Sequence, residues 1–196
     1  MWTKLFAPAL LAAFGFASSA DAVSLDIQGG ALVGASGVSV GGTLYDVTFG
    51  DGTCDTLFGG CDDASDLDFG SAVAAADAAI ALLNEVFLDQ GTPATAFGSD
   101  PGLTAGCSGF STCQTFIPFM VSGSNITMAF ANNLSGSLPD SVLTVVNGPF
   151  FDTAGGNATF AQFSPAATAA VPLPASSLLL AGAIFGIGGL AWRRKS

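Results

Sequence analysis

The chain contains no histidine and only four basic residues among its 196 positions. All four lie near the ends, as Lys4, Arg193, Arg194 and Lys195, so residues 23–170 carry no basic side chain. The lack of histidine excludes Ser-His-Asp and Cys-His catalysis, and the lack of lysine excludes Schiff-base chemistry and a Ser-Lys dyad. Because proteins recognise phosphate groups through Lys and Arg, nucleic acid is excluded as a partner of this part of the chain. We therefore predict a protein without enzymatic activity.

The central part of the chain is strongly acidic. It holds 14 of the 15 acidic residues, all but Asp21, and with no basic residue to offset them its formal charge is −14. No side-chain salt bridge can form inside it, so its carboxylates must be solvated, bonded to backbone N–H groups, protonated or bound to external cations. Charge of this size keeps a protein soluble and makes its copies repel each other.

The N-terminus has the pattern of a secretory signal peptide. A short basic start, Met1–Lys4, precedes an apolar stretch from Leu5 to Phe16, and Ala20-Asp21-Ala22 offers an Ala-x-Ala cleavage site. We predict that signal peptidase removes residues 1–22 and that the rest of the chain is exported across the inner membrane.

The C-terminus has the pattern of a membrane-spanning helix. Residues 176–192 contain no charged side chain, and a helix of this length covers roughly 25 Å, slightly less than a hydrocarbon core. Arg193, Arg194 and Lys195 follow at once, which favours a cytoplasmic C-terminus. We predict a transmembrane helix over residues 176–192 that keeps everything before it outside the cytoplasm.

A proline-containing pentapeptide precedes the apolar run and consists of Val171, Pro172, Leu173, Pro174 and Ala175. With the glycine-rich run and the three basic residues behind it, this pentapeptide resembles the VPLPA-CTERM variant of the PEP-CTERM sorting signal. Exosortase-type membrane proteases of Gram-negative bacteria recognise that signal. The resemblance covers residues 171–196. It implies that the five motif residues bind the protease and that the tail is a temporary anchor, cut on the way to the cell surface or the exopolysaccharide matrix. A permanent single-span anchor is the alternative.

A second resemblance lies inside the acidic part of the chain. The stretch Gly42–Cys54, followed by Gly60–Asp63 and an alanine-rich segment, is similar to a group of uncharacterised exported PEP-CTERM proteins. This resemblance implies a shared fold and no known activity.

Four cysteines, Cys54, Cys61, Cys107 and Cys113, fall within the part predicted to be exported. In that setting they favour disulfides, and their short spacings favour pairing within each couple, although the sequence alone allows three pairings. The alternative is a metal site of four thiolates, for which neither couple has the usual zinc spacing.

Residues 23–163 are predicted to form one α+β domain, followed by a flexible linker over residues 164–170. Apolar residues that alternate with polar ones predict two early strands, joined by the glycine-rich stretch 29–42, and these would begin a sheet with one wet face. Further strands are predicted at Phe116–Val121, Ile126–Phe130, Val142–Val146 and Ala158–Phe163. Pro118 indicates that its strand lies at a sheet edge or carries a bulge.

One long helix is predicted over residues 71–90. Its apolar residues recur at spacings of three and four, which predicts that one face packs on the sheet; they are Val73, Ala76, Ile80, Leu83 and Phe87. The fold class we expect is therefore α+β, with this helix on a mostly antiparallel sheet.

Four aspartates cluster between the second cysteine and this helix, namely Asp62, Asp63, Asp66 and Asp68. Two carboxylates about 4 Å apart repel by roughly 1 kcal/mol in water, so a bound cation is one explanation for the cluster. Calcium takes six to eight oxygen ligands, although the spacing here is not that of an EF-hand. The alternative is a solvated acidic loop that places Asp66 and Asp68 at the N-terminus of the helix.

Three functions are compatible with these patterns. The leading hypothesis is a non-enzymatic cell-surface or biofilm-matrix protein, associated with exopolysaccharide. The second is a calcium-dependent binding or adhesion module. The third is a hydrolase that uses two carboxylates, because Phe150–Gly155 resembles the Asp-Thr-Gly segment of aspartic proteases, although Ala154 interrupts the match.

Overall fold

Nine strands make up most of the regular structure, which we describe from a computed structural model over residues 22–90, 95–136 and 138–167. The strands are β1 (Ser24–Gln28), β2 (Ala31–Val40), β3 (Thr43–Gly50), β4 (Asp89–Gln90), β5 (Thr95–Ala96), β6 (Thr112–Ser122), β7 (Asn125–Leu134), β8 (Ser141–Asn147) and β9 (Ala158–Pro165). The helices are α1 (Cys54–Leu57) and α2 (Ala72–Ala81), and a π-helical turn over Leu82–Val86 continues α2. The described chain up to Ala166 belongs to one compact unit.

Seven of the strands form one mixed sheet in the order β1-β2-β3-β9-β6-β7-β8. Two antiparallel meanders, β1-β2-β3 and β6-β7-β8, lie side by side, and the last strand joins them. β9 runs antiparallel to β3 along six residue pairs and parallel to β6 along three. β9, the last strand along the chain, therefore lies at the centre of the sheet. β4 and β5 form a separate two-stranded ribbon.

The predicted fold class, an α+β domain dominated by one long helix on a mostly antiparallel sheet, is wrong. Strands hold 46% of the described residues and helices 18%, so the sheet and not the helix determines the architecture. The helical segment covers 15 residues from Ala72 to Val86, because the chain leaves helical conformation at Phe87 (φ −84°, ψ 63°). The sheet is mixed because β9 and β6 run parallel.

The face of α2 that packs on the sheet is also not the predicted one. Val73 is 71% exposed and Ile80 is 45% exposed, so the first part of the predicted stripe faces outward. Only its last members pack inward: Leu83 is half-buried against the core, and Phe87, beyond the helical segment, is buried. The buried residues recur at helical spacing and are mostly alanine: Ala75, Ala78, Ala79, Leu82 and Val86. Because the alanine side chains are small, the helix can lie close to the sheet. The large phenylalanine side chains of the sheet then fill most of the core between the two layers.

The glycine-rich stretch predicted to connect two strands is itself a strand, β2. Its glycine and alanine content resembles that of a loop, but Leu32, Val38 and Val40 are buried. Space explains the small residues, because a side chain at Gly34 would collide with the carbonyl oxygen of Val47 on β3. Glycine pairs with positive φ, Gly29-Gly30 and Gly41-Gly42, form the two-residue turns at either end of β2.

Both faces of the sheet are covered along β6, β7 and β9, whereas the early strands keep the one exposed side that was predicted for them. α2 packs on the face that carries Val47, Ile117, Ala129 and Phe163. The loop closed by Cys54 and Cys61 packs on the other face, against apolar side chains of β6, β7 and β9: Phe116, Ile126, Met128, Phe130 and Phe160. In β6, β7 and β9 both sets of alternating residues are largely apolar because each meets its own covering layer. In β3, Val47 and Phe49 are buried while Leu44 and Thr48 on the other side of the strand are exposed.

The later strands lie where the sequence predicts them. β6 lies between β9 and β7, but its pairing with β9 covers only Gln114–Phe116, so Pro118 pairs with β7 alone. The predicted bulge is confirmed by a register shift between Pro118 and Met120. β9 continues to Pro165, so the segment predicted as a linker from residue 164 begins inside a strand. Within the described ranges no helix is both long and apolar enough to cross a membrane; the span predicted at residues 176–192 lies outside them.

Candidate functional site

All four cysteines are joined in local disulfides. Cys54 pairs with Cys61 and Cys107 pairs with Cys113, with Cα–Cα distances of 5.8 and 5.5 Å. The prediction of local pairing is confirmed, and no thiolate remains for the alternative four-cysteine metal site. Closing a loop of eight residues stabilises a fold by about 2.5 kcal/mol in the chain-entropy model. Disulfides of this kind indicate folding in an oxidising, exported environment.

The first disulfide loop is a small capped unit on one face of the sheet. Thr53 and Thr56 form a capping box, in which each side chain bonds the backbone N–H of the other residue. Phe58 projects from the loop onto Phe160 of β9, edge to face at a centroid distance of 5.8 Å. The loop is therefore tied to the sheet by an aromatic contact as well as closed by its disulfide.

The acidic segment that follows is organised by hydrogen bonds to its own backbone. Asp63 accepts bonds from the N–H and hydroxyl groups of Ser65, both at 2.9 Å, and so caps the 3₁₀ turn Ala64–Asp66. Asp66 reaches back to accept the N–H groups of Asp62 and Asp63 at 3.3 and 3.2 Å. The bonds from Ser65 lower the pKa of Asp63, because they favour its charged form.

The fourth aspartate of the cluster points elsewhere. Asp68 accepts the backbone N–H of Phe163 on β9 at 2.7 Å, so its carboxylate is directed to the sheet and not to the other three. Across the described residues, no group of three or more acidic or cysteine side chains is placed to hold a metal ion. Backbone bonds account for the positions of Asp63, Asp66 and Asp68. The calcium hypothesis stays a prediction, and none of these contacts supports it.

A small pocket of about 180 Å³ opens beside the second disulfide loop. The described residues that line it combine one carboxyl group, one hydroxyl, one aromatic ring and three glycine backbones: Asp51, Ser108, Phe110, Gly106, Gly155 and Gly156. Ligand pockets commonly measure about 300–1,000 Å³, so this one has room for a few waters or a very small molecule and not for a polymer segment.

Asp51 is held in the pocket wall by contacts from two distant parts of the chain. The Thr153 hydroxyl lies 3.3 Å from its Oδ1 and accepts the N–H of Gly52 at 3.1 Å. Partial burial raises the pKa of Asp51, the charge of Asp152 adds to the increase, and the bond from Thr153 opposes it. A Cβ at Gly106 would lie 2.5 Å from Oδ1 of Asp51, so glycine is required for this approach; its φ of +90° also favours glycine.

Comparison with protein-family models, with curated proteins and with solved structures finds no match for this chain. The geometry of the chain's own residues therefore carries the functional argument.

The segment that resembles an aspartic-protease motif forms a turn after β8. Asp152 accepts the N–H of Ala154 at 2.9 Å, and its backbone bridges Thr53, which brings it near Asp51. Asp51 is the one carboxyl group among the described residues that line the pocket, and Asp152 is not among them. The charge of Asp152 contributes to the raised pKa of Asp51, while the motif itself is accounted for by turn geometry.

The sequence analysis includes Asp152 and Thr153 in the protease-like segment Phe150–Gly155, but it does not predict that Thr153 and Gly106 contact Asp51. Thr153 bonds Gly52 across 101 residues of chain, and no local pattern reports such a contact. The one local signal is that Asp51 lies between Gly50 and Gly52 at the end of a strand, where glycines allow another part of the chain to come close. The sorting residues Val171, Pro172, Leu173, Pro174 and Ala175, and the basic residues Arg193, Arg194 and Lys195, lie outside the described residues.

Proposed function

We propose that this chain is an exported, non-enzymatic protein of the cell surface or extracellular matrix, delivered by exosortase-type processing of its C-terminal tail. The observation that carries the proposal is the pair of closed disulfides in an acidic domain that ends shortly before the proline motif. Disulfides support export. Export also accounts for the presence of a signal-like N-terminus and a sorting-like C-terminus in the same chain.

The hydrogen bonds of the acidic side chains support the proposal that the domain is a soluble polyanion outside the cell. With no basic residue available, backbone N–H groups serve as the hydrogen-bond donors to carboxylates. Seven acidic side chains in the described residues accept such bonds: Asp63, Asp66, Asp68, Glu85, Asp89, Asp140 and Asp152. Because backbone donors carry no net charge, they fix these side chains and leave the domain strongly negative. Such a surface remains hydrated in a polysaccharide matrix and does not adhere to anionic membranes.

The sorting proposal is tested by changing the prolines of the motif. Pro172→Ala and Pro174→Ala together should leave the chain uncut in the inner membrane of a host that has an exosortase, because alanine permits helix to extend through the motif. The readout is the mass and cell fraction of the protein. Pro139→Ala is the matched control, since Pro139 is exposed on the folded domain and outside the motif.

Two results would overturn this proposal. Normal release of the doubly substituted chain would show that the motif does not direct processing. Recovery of the unprocessed wild-type chain from the cytosol, with its cysteines reduced, would contradict export itself.

A further inference from the structure

The two edges of the seven-stranded sheet differ in how they are protected. β1, at one edge, has five residues, carries Asp26 and has a register shift between Asp26 and Ile27. β8, at the other edge, has seven residues and no charged side chain, and its register with β7 is continuous from Ser141 to Asn147. Charges and bulges are the usual means by which edge strands avoid pairing with another chain. β1 has both and β8 has neither.

Exposed apolar residues are concentrated around β8. Leu143 is 52% exposed and Val146 is 55% exposed within the strand, while Leu138 and Phe150 beside it are 64% and 75% exposed. These four are among eleven large apolar side chains exposed in the described residues, yet they fall within 13 consecutive positions. No other described strand pairs with the outer edge of β8. A strongly charged domain therefore presents an uncharged, apolar strand edge.

The sequence around β8 is symmetric in residue type about Thr144. Reading outward in both directions, the pairs are Leu143 with Val145, Val142 with Val146, Ser141 with Asn147, Pro139 with Pro149 and Leu138 with Phe150. Asp140 corresponds to Gly148 and is the one charged member. Proline cannot donate to a strand ladder, so the two prolines limit pairing to the residues between them. The register that pairs all seven strand residues with a second copy is therefore centred on Thr144.

We propose that β8 is a self-association edge, which pairs antiparallel with β8 of a second copy of this chain about a two-fold axis at Thr144. Each apolar residue of the strand then lies opposite an apolar residue of the other copy. Leu143 meets Val145, Val142 meets Val146, and Thr144 meets its own equivalent, all of which are favourable cross-strand pairs. Asp140 meets glycine, so no two acids face each other.

The same two-fold axis places the exposed flanking residues together. Leu138 lies six positions before Thr144 and Phe150 six positions after it, so the Leu138 end of one copy lies at the Phe150 end of the other. The contact between Leu138 and Phe150 therefore forms at both ends of the paired strands and covers the exposed apolar area there. Because β1 is charged and bulged, the sheet cannot grow at its far edge, and the assembly closes as a dimer with an isologous interface.

Charge predicts how this dimer responds to salt. Two domains of the same strong negative charge repel at long range, while the paired strands themselves carry no charge. Screening at about 0.15 M salt reduces the repulsion beyond roughly 8 Å and leaves the strand contact intact. The dimer should strengthen as salt is added, which is opposite to an interface held by ion pairs.

The first test measures the mass of the full chain, oxidised and held in a mild detergent, by size exclusion with light scattering. The wild type should be a dimer. Leu143→Lys with Val146→Lys should weaken association at least tenfold, because four lysines then crowd the two-fold interface. Lysine also lowers the general repulsion between copies, so a loss of dimer reports the block at β8 alone.

The control carries the same charge change on another exposed apolar surface. Val73→Lys with Ile80→Lys alters the outer face of α2 and should leave the dimer intact. A monomeric wild type would overturn the proposal. So would a dimer that survives lysine at both β8 positions, or one that is lost equally in the α2 control.

The second test uses a single introduced thiol. All four native cysteines are in disulfides, so Thr144→Cys adds one free thiol at the proposed axis. Mild oxidation should join two copies through it, seen on a non-reducing gel. Ser24→Cys, exposed on β1 at the opposite edge, is the matched control and should not cross-link. Equal cross-linking of the two variants would contradict a specific β8 contact.

Discussion

The backbone N–H of Phe163 donates a hydrogen bond of 2.7 Å to the carboxylate of Asp68, which lies 95 residues earlier in the chain. The parallel pairing between β9 and β6 ends at Phe160, so the carboxylate takes the place of a strand partner for the last part of β9. Asp68 comes just before Ser71, which caps α2. One side chain therefore joins the start of the helix to the central strand.

We predict opposite results from two substitutions of Asp68. Alanine should lower the free energy of unfolding by about 1–3 kcal/mol, because it leaves the N–H of Phe163 without an acceptor. Asparagine should keep or raise stability at neutral pH, because it offers an oxygen without the charge. Partial burial raises the pKa of Asp68 against the lowering effect of the Phe163 bond, so the charged form is the costly one. Urea denaturation at pH 7 measures both; equal losses would contradict this account.

The alanine face of α2 gives a second prediction. Ala78→Leu should lower the free energy of unfolding by about 1–3 kcal/mol, because Ala78 is fully buried and an outward shift of the helix would also loosen the packing of Ala75 and Leu82 on the same face. Val73→Leu, on the exposed face of the same helix, is the control and should change stability by less than about 0.5 kcal/mol. If the two substitutions had similar effects, the orientation of α2 described above would be incorrect.

Local sequence patterns were sufficient to predict most strands and the disulfides. β7, β8 and β9 alternate or are rich in β-branched residues, and each cysteine couple is too close in sequence to require help from the rest of the fold. β2 and the buried face of α2 could not be predicted in the same way. Their side chains are small because another layer comes close, and a neighbour's position is not contained in the segment itself.

The candidate site shows the same limit. Asp51 could be singled out, since it follows a strand and lies between two glycines, but its contact with Thr153 joins segments about 100 residues apart. Equally, four aspartates close in sequence suggest one shared site, while the fold sends Asp68 to β9 and gives Asp63 and Asp66 to a local turn. Sequence spacing indicates which residues are near each other, and tertiary packing decides where each carboxylate points.

A maximum in stability near pH 4 is the third prediction. The pKa values of Asp51 and Asp68 are raised above their ordinary 3.8 chiefly by burial, so their contribution is greatest below 3.8 and is lost as pH rises through the folded-state values. Asp63 and Asp89 have lowered pKa values through backbone bonds, so their contribution is present above 3.8 and is lost as pH falls. Repulsion among the carboxylates adds to the decline above pH 4.

Melting temperatures between about pH 3 and pH 7, at constant ionic strength, test this prediction. Asp51→Asn should make the decline above pH 4 shallower, since it keeps an oxygen for Thr153 and removes the group that titrates. Asp77→Asn removes one charge from the exposed face of α2 and serves as the control for net charge alone. A melting temperature that rises steadily from pH 4 to 7, or the same change of slope in both variants, would contradict the assignment.

Calcium provides the last prediction, because it separates a specific site from a general response of a polyanion. Any divalent cation should stabilise a domain of this charge by screening, so calcium and magnesium at equal concentration should raise the melting temperature about equally. A built calcium site would instead give a calcium-specific increase that grows with concentration. In the described residues, backbone N–H groups already bond the carboxylates of Asp63 and Asp66, and the carboxylate of Asp68 is directed to β9. We therefore expect Asp62→Asn to leave the calcium response unchanged; a calcium-specific shift that this substitution removes would restore the calcium-binding hypothesis.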